Sequence, residues 1–194
     1  MDMCIVTPAT RGSRSGNRAT AERWRVRLRE LGHAVRVKPA WGGEDCDLLL
    51  AIHAWRSAPS IRAFSERYPD RPLVVLLAGT DIYHYQHSDP QTFRDSLRRA
   101  HALIGLHTQV AADIPAEVRP RLGIVLQSAR ASEKRRPPLA TRFEACVVGH
   151  LREEKDSLRA AFAVRDLPPA SRLAVTQLGR AHSDNWAAAA REEM

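Results

Sequence analysis

Lysine is scarce in this chain. Of its 30 basic residues only three are lysine, which leaves 30 − 3 = 27 arginines. Against 22 acids they give a net charge of +8. An arginine-rich composition accounts for most of that excess, and the remainder favours anionic ligands such as nucleotides or phosphates. Aromatic residues are only 6% of the sequence and the arginines are scattered. There is no stacking platform and no recognition motif, so no nucleic-acid partner is expected. Cys4, Cys46 and Cys146 form no CxxC pair. An odd count without a secretion signal points to reduced thiols in a cytoplasm. Cys4 and Cys146 lie in apolar runs and read as small core residues. No apolar run approaches the ~18 residues of a membrane span, so no membrane partner is expected. Met1–Pro8 reads as a short strand rather than a signal peptide. A Walker P-loop, a Ser/His/Asp elbow and an internal repeat are all missing from the sequence.

What is present is an alternation of apolar runs and helical patterns. Strands are expected at Met3–Thr7, Ala34–Lys38, Asp47–Ile52, Leu73–Ala78, Ala102–Leu106 and Leu122–Gln127. Helices are expected at Ala19–Leu31, Ala58–Tyr68, Pro90–Arg99 and from Val110. In the first helix Ala21, Trp24, Leu28 and Leu31 fall at helical spacing and mark its inner face. Short links between such elements imply an α/β fold with a mostly parallel, Rossmann-like sheet.

Residues 130–142 carry adjacent prolines, five basic residues and one acid, the composition of a stiff, solvated linker. The expected organisation is therefore a Rossmann-like domain over 1–129, a linker over 130–142, and the start of a second Rossmann-like domain over 143–194. The second part reads as a buried strand at Glu144–Val148, a helix at about Glu154–Val164, a strand at Arg172–Leu178 and a final helix from Asn185. Two strands do not close such a domain. The C-terminal part is expected to be incomplete, to expose apolar surface and to favour self-association.

In open parallel sheets, ligands bind beyond the carboxyl ends of the strands. After the first strand comes a loop with Gly12, Gly16, Asn17 and Arg18. Its glycines admit close backbone approach, and Arg18 can pair with an anion. Without a third glycine it is not the dinucleotide fingerprint. His53 follows the third strand, and Gly79, Thr80 and Asp81 follow the fourth. His53 and Asp81 are the candidates for proton transfer or for holding a sugar hydroxyl; an N-cap is the plainer role for Asp81. Gln127 and Ser128 follow the sixth strand and offer polar groups to the same edge. His84, His87 and Asp89 supply metal-ligand types, but in a polar loop with no second ligand pair, so no metal is expected. In the second part, Cys146–Asp156 reads as a strand, a glycine turn at Gly149 and a basic helix start. That is an anion site, to which Lys155 adds a mobile charge.

The turn Val147-Val148-Gly149-His150-Leu151-Arg152-Glu153-Glu154-Lys155 resembles the donor-diphosphate turn of GT-B glycosyltransferases. More closely, the chain is similar to the selenosugar synthases of selenoneine biosynthesis within that group. The matching pieces include Ile5-Val6-Thr7-Pro8, Gly12-Ser13-Arg14, Gly16-Asn17-Arg18, Asp70-Arg71-Pro72-Leu73-Val74, Gly79-Thr80-Asp81 and Gln127-Ser128-Ala129-Arg130, in order along the whole sequence. The resemblance implies transfer of a sugar from UDP-N-acetylglucosamine or UDP-glucose to selenophosphate, with no metal or other cofactor. It also implies that Gly149 and Lys155 contact the donor diphosphate. His150 stands where the family has arginine, so Arg152 supplies the second charge. The family's Glu-x7-Glu signature is missing, since the only glutamates at that spacing, Glu22 and Glu30, lie in the first helix. The chain is accordingly expected to be a truncated portion, inactive alone. The alternative from the residues themselves is a non-catalytic Rossmann-like module for a phosphorylated metabolite or a partner protein.

Overall fold

The computed structural model describes residues 1–13, 15–129, 131, 137, 141–168 and 170–193. Most of the expected linker, together with Arg14 and the side chain of Glu154, lies outside the described residues. The chain divides into two compact units, Met1–Ala129 and Arg130–Met194.

The first unit is α/β and Rossmann-like. Strands β1 (Asp2–Val6), β2 (Ala34–Lys38), β3 (Leu48–Ile52), β4 (Leu73–Leu76), β5 (Ala102–Gly105) and β6 (Leu122–Ile124) form one sheet in the order β2-β1-β3-β4-β5-β6. Every neighbouring pair is parallel. Helices α1 (Gly16–Glu30), α2 (Ala58–Arg67), α3 (Gln86–Ser88), α4 (Pro90–Arg99) and α5 (Val110–Asp113) fill the connections. The chain runs from β1 outward to β2, then returns to place β3 on the other side of β1. That reversal opens a crevice at the carboxyl ends of β1 and β3, where ligands of open α/β sheets bind.

Alternation of side chains across the strands builds a core on each face. On one face Cys4, Val6, Leu49, Ala51, Val75 and Leu103 pack with Ile61 and Phe64 of α2 and with Phe93 and Leu97 of α4. On the other, Met3, Ile5, Leu50, Ile52 and Leu76 meet Ala21 of α1, with Trp24 and Leu28 beside them. Phe64 is fully buried and edge-on to Trp41 at 5.4 Å and to Tyr68 at 5.5 Å. Burying such a ring contributes about 1.5–3 kcal/mol. The continuous apolar run of β3 reflects cover on both faces.

Helix α1 begins three residues before the expected Ala19, because Ser15 caps it. The Ser15 hydroxyl accepts the Arg18 amide at 3.3 Å. It ends in paired reverse bonds, Gly32 N–H to the Arg29 carbonyl at 2.9 Å and His33 N–H to the Leu28 carbonyl at 3.1 Å. Leu31, expected on the inner face, is the C-cap residue and is 72% exposed.

In the second unit β7 (Phe143–Val148) and β8 (Leu173–Leu178) pair in parallel, followed by α7 (Asp184–Glu192). The helix expected over Glu154–Val164 is replaced by a 3₁₀ turn, Glu153–Lys155, and a single turn, α6 (Arg159–Phe162). Asp156 interrupts them with a left-handed φ of 45°. The strand expected to be buried is mostly open, with Phe143 71% and Val148 80% exposed. Cys146 is likewise exposed rather than a core residue. A two-stranded sheet has too little cover to bury both faces.

Candidate functional site

The crevice at the carboxyl end of the first sheet is bordered by the loop after β1, the turn after β3 and the segment after β4. His53 sits directly beyond β3, 1% exposed, with a left-handed φ of 78° that few side chains adopt. Its backbone N–H continues the β-ladder to the Leu76 carbonyl at 2.8 Å. Its Nδ1 accepts the Arg56 amide at 3.1 Å, which leaves the ring proton on Nε2. Nε2–H then faces the Thr80 hydroxyl at 2.9 Å. Burial lowers the His53 pKa; the Asp81 charge works against that shift and the Arg56 charge adds to it. The result is a neutral imidazole whose donor is aimed at Thr80.

Asp81 is fully buried and its carboxylate serves the backbone. Oδ2 accepts the Ala54 amide at 2.9 Å, Oδ1 accepts the Ala78 amide at 2.9 Å, and Oδ1 also accepts the Ile82 amide at 3.2 Å. Three amides on two oxygens tie the end of β3 to the end of β4. A backbone brace, rather than the expected N-cap or proton transfer, is the role this geometry supports: the cap residue of the π-helical turn Asp81–Tyr85 is Thr80, and it makes no side-chain cap bond. Gly79, at φ 101°, turns its carbonyl to accept both the Ile82 and Tyr83 amides at 2.9 and 2.8 Å. A side chain at this φ would strain the turn.

The glycine loop leaves β1 at the same carboxyl edge of the sheet. Gly12 and Gly16 are exposed, Asn17 is half-buried in the first turn of α1, and Arg18 is buried. Arg18 is paired with Glu22, so part of its charge is already neutralised within α1. The Arg25 hydrogen bond, with Arg18 in support, holds Glu22 below its ordinary pKa. Gln127 reaches back to donate to the Thr20 hydroxyl of α1 at 2.9 Å, bringing the strand-six end to the same helix, while Ser128 stays exposed.

Sequence reasoning missed Thr7, the first residue beyond β1. Its hydroxyl is fully buried and makes no hydrogen bond among the described residues. Buried polar groups are normally paired, so an unmet hydroxyl at the crevice is a group available to a ligand or a water. The signal was a polar side chain closing an apolar strand. Also missed was a Tyr83 hydroxyl that donates to Asp113 Oδ2 at 2.9 Å and lies 3.1 Å from His107 Nε2. Neither His84 nor His87 joins a metal-ligand cluster among the described residues.

In the second unit Gly149 is held from three sides. Its amide donates to the Leu178 carbonyl at 2.9 Å, and its carbonyl accepts the Gln177 side-chain amide at 2.9 Å. A Cβ on Gly179 would come 1.8 Å from that carbonyl, so only glycine fits there. His150 Nδ1 accepts the Arg180 amide at 3.1 Å, and the Ser157 hydroxyl donates to the His150 carbonyl at 3.1 Å. Arg152 is half-buried and Lys155 exposed. The turn is well fixed, but it opens a short 3₁₀ segment rather than a long helix. The dipole expected from a helix start is correspondingly small.

No family model matches the chain, and no curated protein matches it.

Proposed function

We propose that this chain belongs to a two-domain glycosyltransferase that moves a hexose or N-acetylhexosamine from UDP-glucose or UDP-N-acetylglucosamine to selenophosphate. In the reaction the sugar C1–O bond to the diphosphate breaks, a C1–Se bond forms, and UDP departs. The observation that carries this reading is the neutral His53–Thr80 pair at the carboxyl edge of the sheet, the same edge from which the glycine loop before α1 leaves β1. It sets oriented polar groups, His53 buried and Thr80 half-buried, at the edge where parallel sheets take ligands. Selenophosphate is already an anionic nucleophile, so the site needs donors and positive charge more than it needs a strong base. With its Nδ1 lone pair taken by the Arg56 amide, His53 orients and does not deprotonate. Gly149, Arg152 and Lys155 would take the donor diphosphate, with Gly79, Thr80, Gly12, Gly16, Asn17 and Arg18 on the acceptor side.

The test, made on the whole two-domain protein, is UDP release followed with each donor sugar, with and without selenophosphate. Selenophosphate-dependent release that falls in His53→Asn supports the assignment. Release unaffected by that change removes His53 from the site.

A second reading, a non-catalytic module that binds a phosphorylated metabolite, is favoured by one observation. Asp81, the obvious carboxylate of the crevice, is wholly occupied by backbone amides. Saturable binding of a sugar phosphate without turnover would select it.

A further inference from the structure

A cavity of about 570 Å³ opens between the start of α2 and the start of α4, next to the turn that carries His53. That size is ordinary for a small-molecule site. Trp55 lines it together with the small side chains of Ala58, Pro59 and Ala63. The indole is held from two directions. Tyr85 stacks on it at 3.9 Å with the planes 6° apart, and Nε1–H donates to Asp89 Oδ2 at 2.8 Å. Tyr85 covers one face of the indole and does not itself line the cavity. A ring fixed in this way loses little entropy when a ligand packs on it.

The charges around the opening decide what fits. Arg56 and Arg62 stand against Glu66 and Asp89, two of each sign, so the lining carries 2 − 2 = 0 formal charge. Asp89 is committed to Trp55 and to the Thr92 amide, and those bonds, Trp55 first, hold its pKa below the ordinary value. Arg62 and Glu66, both exposed, each pair with a half-buried partner, Asp95 and Arg99, both at 3.3 Å. A balanced rim gives no strong preference for a cation or an anion. It offers guanidinium donors and carboxylate acceptors side by side, over an aromatic wall with an electron-rich face. A pyranose matches each part: its C–H edges carry partial positive charge toward that face, and its neighbouring hydroxyls both accept and donate.

We propose that this cavity binds a neutral pyranose sugar, stacked on Trp55 and hydrogen-bonded by Arg56, Arg62 and Glu66. The cavity shares the turn after β3 with the crevice, but Trp55, Arg62 and Glu66 are given no part in sugar transfer, so the proposal stands whether or not the chain transfers sugar.

The experiment is a titration of the ¹⁵N-labelled chain with the methyl glycosides of glucose, galactose, mannose and N-acetylglucosamine. The readout is the Trp55 indole N–H resonance, assigned by its loss in Trp55→Phe. Glycerol at matched hydroxyl concentration and glucose 6-phosphate are the reference arms. At least one glycoside is expected to shift that resonance saturably, with an affinity of about 1 mM. Ala63→Leu, an exposed helix position that fills the cavity without touching the indole bond, is expected to weaken binding about tenfold, with Arg62→Ala and Glu66→Ala each costing about threefold to fivefold. An unchanged unfolding midpoint shows that Ala63→Leu is folded. The proposal is overturned if no glycoside gives a saturable shift, if glycerol shifts the resonance equally, or if Ala63→Leu binds as the parent does. Tighter binding of glucose 6-phosphate than of the methyl glycosides would mark an anion site and also overturn it.

Discussion

His53 Nε2 lies 2.9 Å from the Thr80 hydroxyl, linking the end of β3 to the segment beyond β4 by a side-chain bond between neutral partners, His53 buried and Thr80 half-buried. The bond requires the imidazole to keep its proton on Nε2, because Nδ1 already accepts the Arg56 amide. Protonation of Nδ1 would set two donors against each other.

Stability should therefore depend on pH through His53. Its folded pKa is lowered, chiefly by burial. Above the ordinary imidazole value of about 6.5 the ring is neutral in both states and its contribution is fully present. As pH falls below that value the unfolded chain gains a proton that the folded chain refuses, and stability declines until the folded pKa is passed. Urea unfolding between pH 7.5 and 5 should show this slope at about 1.4 kcal/mol per unit of pKa separation. His53→Asn, which tolerates the left-handed backbone, should flatten it. Glu22 and Asp95 also have lowered values, but as carboxylates they act at more acid pH.

Asp81→Ala should cost about 2–4 kcal/mol of stability, because it strands the amides of Ala54, Ala78 and Ile82 in the interior. Asp81→Asn retains one acceptor oxygen and should fall between. A Tm within about 1 °C of the parent for Asp81→Ala would mean that the carboxylate is not the brace described here.

The expected strands of the first unit are all present, since apolar runs covered on both faces leave an unmistakable pattern, as in Leu48–Ile52. The ordering of His53, Gly79 and Asp81 at the strand ends was legible for the same reason: polar residues that close apolar runs fall at the sheet's carboxyl edge. Their bonding was not. Asp81 looks like any loop carboxylate in sequence, and only the convergence of two strand ends gives it three amides. The helix expected after Gly149 failed because Leu158 and Ala161 carry helical spacing while Asp156 breaks the path at a left-handed φ of 45°. Cys146 and Val148 were expected inside because strands of parallel sheets normally have cover on both faces, which β7 lacks.

Gly179→Ala should disrupt the second unit while sparing the first. The added methyl meets the Gly149 carbonyl at 1.8 Å, backbone that cannot step aside cheaply. An overpacking cost of about 1–3 kcal/mol is expected. It would be read as earlier proteolysis after residue 141 with unchanged protection of residues 1–129.

Exposed apolar side chains on the two-stranded sheet should drive self-association. Phe143, Val148 and Leu178 are 71%, 80% and 52% exposed, and the strands present unpaired edges. Light scattering after size exclusion should show a concentration-dependent mass. Val148→Lys should shift it toward the monomer.

The most direct measurement is the change in unfolding temperature on titration with UDP, for the parent chain and for Lys155→Ala. If the Gly149–Lys155 turn holds the donor diphosphate, UDP raises the midpoint saturably, by the equivalent of about 2.7 kcal/mol at a hundredfold excess over Kd, and Lys155→Ala needs markedly more UDP for the same rise. A midpoint indifferent to UDP, or an equal response in Lys155→Ala, would contradict the donor-binding assignment.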